Sequence, residues 1–165
     1  MILIYTRANY DHAERREQLS EEKATGSTQP TVLVVDDNDE LRAILRVWLG
    51  QHNCRVVEAA DGRTAVSVAT KERPDLILMD LHMPEMDGFA AAYRIRLLAK
   101  LGPRVPIIAI SADSQLGIEA QRPTSAGHDV GFTDFAQKPF SPAQLEDMLK
   151  RYLPLGAGGE GNVWT

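Results

Sequence analysis

Between Thr31 and Leu153 short apolar runs alternate with polar segments of helical rhythm. Residues 32–35, 76–79 and 107–110 are unbroken runs of Val, Leu, Ile, Met and Ala, as expected for strands covered on both faces of a sheet. Residues 55–58 and 132–137 read as two further strands. Leu41, Ile44, Leu45 and Trp48 recur at i, i+3, i+4 and i+7, which predicts a first helix with one apolar face, Asn38 near its cap and Trp48 in the core. A small-residue helix is expected over residues 62–71 and a third over 88–100, followed by Gly102-Pro103. Ser141-Pro142 opens the last helix, which turns Leu145, Met148, Leu149 and Tyr152 inward. Strands alternating with helices predict an α/β fold with a parallel sheet.

Polar residues follow four of the strand runs: Asp36, Asp37 and Asn38; Asp80 and His82; Ser111; and Lys138. In a parallel α/β sheet such positions gather in the crevice at the carboxyl ends of the strands. Three carboxylates, a hydroxyl and an ammonium suit a divalent cation together with a phosphoryl group. Without a cation the carboxylates repel one another, whereas Mg2+ takes carboxylate, water and phosphate oxygens. Acids that merely cap a helix N-terminus would explain Asp37 and Asn38 but leave Asp80 unaccounted for.

These strings, with Met83-Pro84-Glu85-Met86-Asp87-Gly88-Phe89, Arg94-Ile95-Arg96 and Val105-Pro106-Ile107-Ile108, resemble the receiver domain of two-component response regulators. The resemblance runs from about Thr31 to Leu153. It implies a flavodoxin-like (βα)5 fold, a doubly wound five-stranded parallel sheet with strand order 2-1-3-4-5. It also implies a phosphoacceptor in a histidine-to-aspartate phosphorelay. Asp80 would be the nucleophile that takes the phosphoryl group from phosphohistidine. Asp37, Asp80 and the His82 backbone carbonyl would ligate Mg2+ directly, and Asp36 through water. Lys138 would stabilise the phosphoryl oxygens from a cis Lys138–Pro139 bond, and Ser111 would donate its hydroxyl. Such a protein catalyses its own phosphorylation and slow dephosphorylation but is not an enzyme toward other substrates.

Phe135 matches the family's switch aromatic, which would turn inward as Ser111 moves toward the phosphoryl group; a permanently buried ring is the alternative. His82 and Asp113 sit two positions beyond Asp80 and Ser111 and would tune the phosphoryl lifetime, although His82 can equally contribute only its carbonyl. The segment between Ser111 and Lys138 is longer than the family pattern, and Pro123 and Gly127 should break or shorten the fourth helix there. That helix, the fifth strand and the last helix form the expected signalling face.

Composition narrows the partners. The 165 residues carry a net charge of −5 without a Lys/Arg cluster, which argues against nucleic-acid binding. The single cysteine, Cys54, excludes an internal disulfide and reads as a buried thiol at a strand edge. No apolar stretch is long enough to span a bilayer, and the opening Met1-Ile2-Leu3-Ile4-Tyr5 is too short for a secretory signal, so a cytoplasmic chain is expected. Residues 1–30 read as a charged extension and linker, residues 31–153 as the receiver, and residues 154–165 as a Gly-rich tail with Trp164 exposed. The extension is either disordered or the stub of a longer signalling protein. Partners implied by the resemblance are a histidine kinase or phosphotransfer protein and a downstream protein, with a monomer or phosphorylation-linked dimer. A stand-alone regulator and the receiver of a hybrid histidine kinase both fit. An aspartate-based phosphatase is disfavoured by His82, where a second acid is needed. A docking-only module generally lacks a site residue, and none is lacking here. Asp36-Asp37-Asn38-Asp39 after the first strand repels phosphate and has no glycine, against dinucleotide binding.

Overall fold

The computed structural model describes residues 29–98, 105–113 and 131–153. The charged extension, the tail with Trp164 and the segment holding Pro123 and Gly127 lie outside these residues. The chain runs β1 (Thr31–Val35), α1 (Asp39–Gln51), β2 (Arg55–Ala59), α2 (Gly62–Glu72), β3 (Leu76–Asp80), α3 (Gly88–Leu98), β4 (Ile107–Ser111), β5 (Asp134–Gln137) and α4 (Pro142–Tyr152). The five strands are parallel in the order β2-β1-β3-β4-β5, as expected from the sequence.

Alternation along the strands divides the core in two, because successive side chains leave opposite faces of a sheet. Leu33, Val35, Ile77, Met79 and Ile107 meet Ala65, Ala69, Ala91, Ala92 and Ile95 of α2 and α3 on one side. Val32, Val34, Leu76, Leu78, Ile108 and Ile110 meet Leu45, Leu49, Leu145, Met148 and Leu149 of α1 and α4 on the other. Alanines on α2 and α3 let those helices lie close to the sheet, where the strands supply the bulk.

Two expectations shift. Ile44 is not part of the α1 core face; it is 64% exposed. Leu45 and Leu49 are buried and centre that face, with Leu41 and Trp48 half-buried at its margins. Neighbouring helical residues are about 100° apart, so a face centred on Leu45 turns Ile44 outward. The fifth strand begins at Asp134 rather than at Phe132. Gly131 adopts φ +87°, and Thr133 Oγ1 accepts the Ile107 N–H at 3.1 Å, so the chain enters β5 from an irregular approach. Only residues 88–98 of the expected 88–100 helix are described.

Helix starts follow side-chain chemistry. Asn38 Oδ1 accepts the Glu40 and Leu41 N–H groups at the start of α1. Ser141 and Gln144 form a reciprocal capping box at α4, with Pro142 in its first turn. Cys54 is buried just before β2, as expected. No helix among the described residues is long and apolar enough to cross a membrane.

Candidate phosphoryl-transfer site

The sheet's hydrogen-bond ladders continue past the strand ends and position the polar residues there. Asp36 N–H donates to the Ala59 carbonyl at 3.2 Å, Leu81 N–H to Ile110 at 3.0 Å, and Lys138 N–H to Ser111 at 2.8 Å. Asp36, Asp80 and Lys138 are therefore held by β2, β4 and the end of β4 respectively, although each is carried on another strand. Gly88 is required close by: a Cβ there would run into the Asp80 carbonyl, and its N–H donates to Leu81 at 3.1 Å. This close approach seats the start of α3 under the crevice.

Asp36, Asp37 and Asp80 each offer a carboxylate oxygen within 4.8 Å of the others. Asp36 and Asp80 are buried and Asp37 is exposed. Lys138 Nζ bridges the two buried acids, at 2.7 Å from Asp36 Oδ2 and 3.2 Å from Asp80 Oδ1. The Lys138–Pro139 bond is cis. Asp36 Oδ1 also accepts the Asn38 N–H at 2.9 Å. Ser111 is 1% exposed, and its Oγ accepts the Asp113 N–H at 3.0 Å.

The electrostatics follow from this crowding. Burial raises the Asp80 pKa above the ordinary carboxylate value; the charge on Lys138 opposes the rise and that on Asp36 adds to it. Burial disfavours the Lys138 ammonium, but its hydrogen bond to Asp36 and the charges on Asp80 and Asp36 outweigh this and raise its pKa. Three carboxylates and one ammonium leave two negative charges, which one divalent cation would cancel. The all-oxygen donor set fits a hard cation such as Mg2+, with water completing its shell.

Asp36, Asp37, Asp80 and Lys138 are thus brought together, with Ser111 buried at the end of β4 and His82 and Asp113 exposed. Phe135 is half-buried against Leu81 and Ala109, in a group that also holds Phe89 and Phe132. Sequence reasoning missed Arg42, whose Nη1 donates to the Asp36 carbonyl at 2.6 Å. The only signal was its position in the turn of α1 nearest the acids.

Residues 32–150 match the response regulator receiver domain family. The chain belongs to that family. A probable transcriptional regulator, ycf27 of Guillardia theta, is 37% identical over 126 residues, covering 76% of this chain and 46% of that protein. The autoinducer 1 sensor kinase/phosphatase LuxN of Vibrio harveyi is 44% identical over 85 residues, covering 52% of this chain and 10% of that protein. The receiver domain of a sensor histidine kinase from Pseudomonas aeruginosa, solved with a magnesium ion coordinated in its active-site cleft, superposes with a TM-score of 0.64. It is 34% identical and covers 76% of this chain and 98% of that one. This receiver is therefore homologous both to response regulators and to receivers of sensor kinases, and it spans about half the length of the curated regulator.

Proposed function

We propose that this receiver accepts a phosphoryl group on Asp80 from a phosphohistidine of a histidine kinase or phosphotransfer protein, and signals through altered binding of a downstream protein. The observation that carries the reading is the Lys138 ammonium shared between Asp36 and Asp80 beside a third carboxylate. Asp37, Asp80 and the His82 carbonyl would hold Mg2+ directly, and Asp36 would hold it through water. When bound, the cation neutralises phosphoryl oxygens and the carboxylates around them.

The chain's own groups do the rest. Asp80 is fixed at the end of β3, so its carboxylate meets an incoming phosphorus without a search of rotamers. An Asp80 oxygen forms the new bond to phosphorus as the bond to the imidazole nitrogen breaks, and the donor histidine keeps that electron pair. Lys138 then exchanges a carboxylate oxygen for a phosphoryl oxygen, and Ser111 Oγ turns its proton toward another. Movement of Ser111 toward the phosphoryl group would let the Phe135 ring settle deeper, remodelling the surface around β5 and α4. The exposed His82 and Asp113 would set how readily water reaches the acyl phosphate. Release of the phosphoryl group to water is thus self-catalysed and slow, and no other substrate is turned over.

Both a stand-alone regulator and the receiver of a hybrid kinase remain consistent with these residues. A docking role independent of phosphorylation is disfavoured because the crevice retains all its groups. Incubation with acetyl phosphate and Mg2+ should add the mass of one phosphoryl group, and EDTA should prevent it. Equal modification in EDTA would contradict the proposed chemistry.

A further inference from the structure

Arg42 has no part in the phosphoryl chemistry, yet its side chain is only 14% exposed. One edge of its guanidinium donates to the Asp36 carbonyl. The rest pairs with Asp39 and lies 3.7 Å from Glu58 Oε1 across on β2. Glu58 is itself held at 2.7 Å by Arg46. The fork is therefore fixed from α1 and β2 while it grips the loop between β1 and α1. A planar guanidinium seated on two carboxylates keeps its remaining donor in a set direction, which a lone ammonium does not.

The gripped oxygen belongs to the peptide linking Asp36 to Asp37. A donor held on that oxygen sets the peptide plane, and the plane sets where the Asp37 side chain leaves the backbone. The Asp36 carboxylate is separately tied by Asn38 and Lys138. Asp37 is the exposed member of the acidic trio, so its direction depends most on the backbone beneath it.

We infer that Arg42 is a positioning residue for the cation site, orienting Asp37 through the Asp36 carbonyl. The inference rests on the proposed reading of the crevice as a cation site. Two consequences of Arg42 oppose each other: its positive charge repels a divalent cation, whereas its grip on the loop favours one. Groups that orient metal ligands typically change affinity about 10–100-fold when lost, more than a screened charge outside the ligand shell.

Mg2+ titration of the full chain, followed by the amide NMR signals of Asp37 and Asn38, separates the two. Arg42→Gln should weaken Mg2+ about tenfold, and Arg42→Lys should lose part of the affinity although the charge stays. Arg46→Gln also removes one positive charge and loosens Glu58, but it leaves Arg42 on the Asp36 carbonyl; its affinity should fall clearly less than that of Arg42→Gln. Spectra without Mg2+ establish that each variant is folded, and Arg42→Lys carries the test if Arg42→Gln is not. Unchanged or tighter binding by the Arg42 variants would overturn the inference alone, as would an equal loss in Arg46→Gln. A wild-type chain that shows no Mg2+ response would overturn the cation site and this inference with it.

Discussion

At Asp80 two demands meet. In the proposed function its carboxylate must be ionised to attack phosphorus, but burial and the neighbouring Asp36 favour the protonated form. Lys138 supplies part of the remedy, and a divalent cation would supply the remainder. Asp37 and Asp36 would divide the proposed ligand work differently, one exposed and the other already committed to Lys138 and Asn38. Asp37→Ala should therefore weaken Mg2+ more than Asp36→Ala, by about tenfold or more in a titration followed by Trp48 fluorescence or NMR. Equal affinities in the two variants would refute the assigned roles. Cys54 gives a test remote from the crevice. Burial, with the Asp75 charge, lifts its thiol from 9.0 to about 11. The unfolded chain then loses that proton first, so folded stability falls as pH rises from about 9 to 11, by at most about 3 kcal/mol. In urea melts across this range, wild type should lose stability relative to Cys54→Ala as pH rises; a constant difference would contradict the burial argument.

Among the elements, legibility followed how directly a sequence signal maps to geometry. The unbroken apolar runs became buried strands, and Asp36, Asp80 and Ser111 were legible because each lies at the end of one; Lys138 follows the more mixed, half-buried β5. The Asn38 cap and the Ser141-Pro142 start were legible because capping is local chemistry. Ser141→Ala should cost about 1 kcal/mol in a thermal melt, since the α4 capping box is lost. Ile44 misled because i+3 and i+4 positions both match a helical pattern, and only the packing partner chooses between them. Phe132 misled because its apolar character serves an edge-on contact with Phe89 (5.6 Å between ring centres) rather than a strand pairing. Arg42 left only a positional signal, because its contact is to a backbone carbonyl. The same limit applies to Phe135, whose role depends on movement. Deeper seating of its half-buried ring would gain of order 1 kcal/mol at ~25 cal/mol per Å2, enough to shift a two-state population about fivefold. Beryllofluoride with Mg2+ should therefore shift amide signals along β4 and β5 far more than along α2, and Ser111→Ala should suppress the shifts around Phe135. Shifts confined to the loops around the acids would make Phe135 a core residue only.

For the whole molecule, the arrangement is a sheet packed on both faces that brings its chemistry to one end. The ladders that continue past β1, β3 and β5 convert the stability of the core into fixed positions for the acids and the lysine. The family and its fold follow from these residues and from the matched sequence over residues 32–150. The identity of the phosphoryl acceptor is the claim on which the remaining account depends. Borohydride reduction of the chain treated with acetyl phosphate and Mg2+ converts an aspartyl phosphate to homoserine, which peptide mass spectrometry locates. The account predicts homoserine at Asp80, in the tryptic peptide spanning residues 72–94, and none in Asp80→Asn. Homoserine at Asp36 or Asp37, or undiminished labelling of Asp80→Asn, would contradict it.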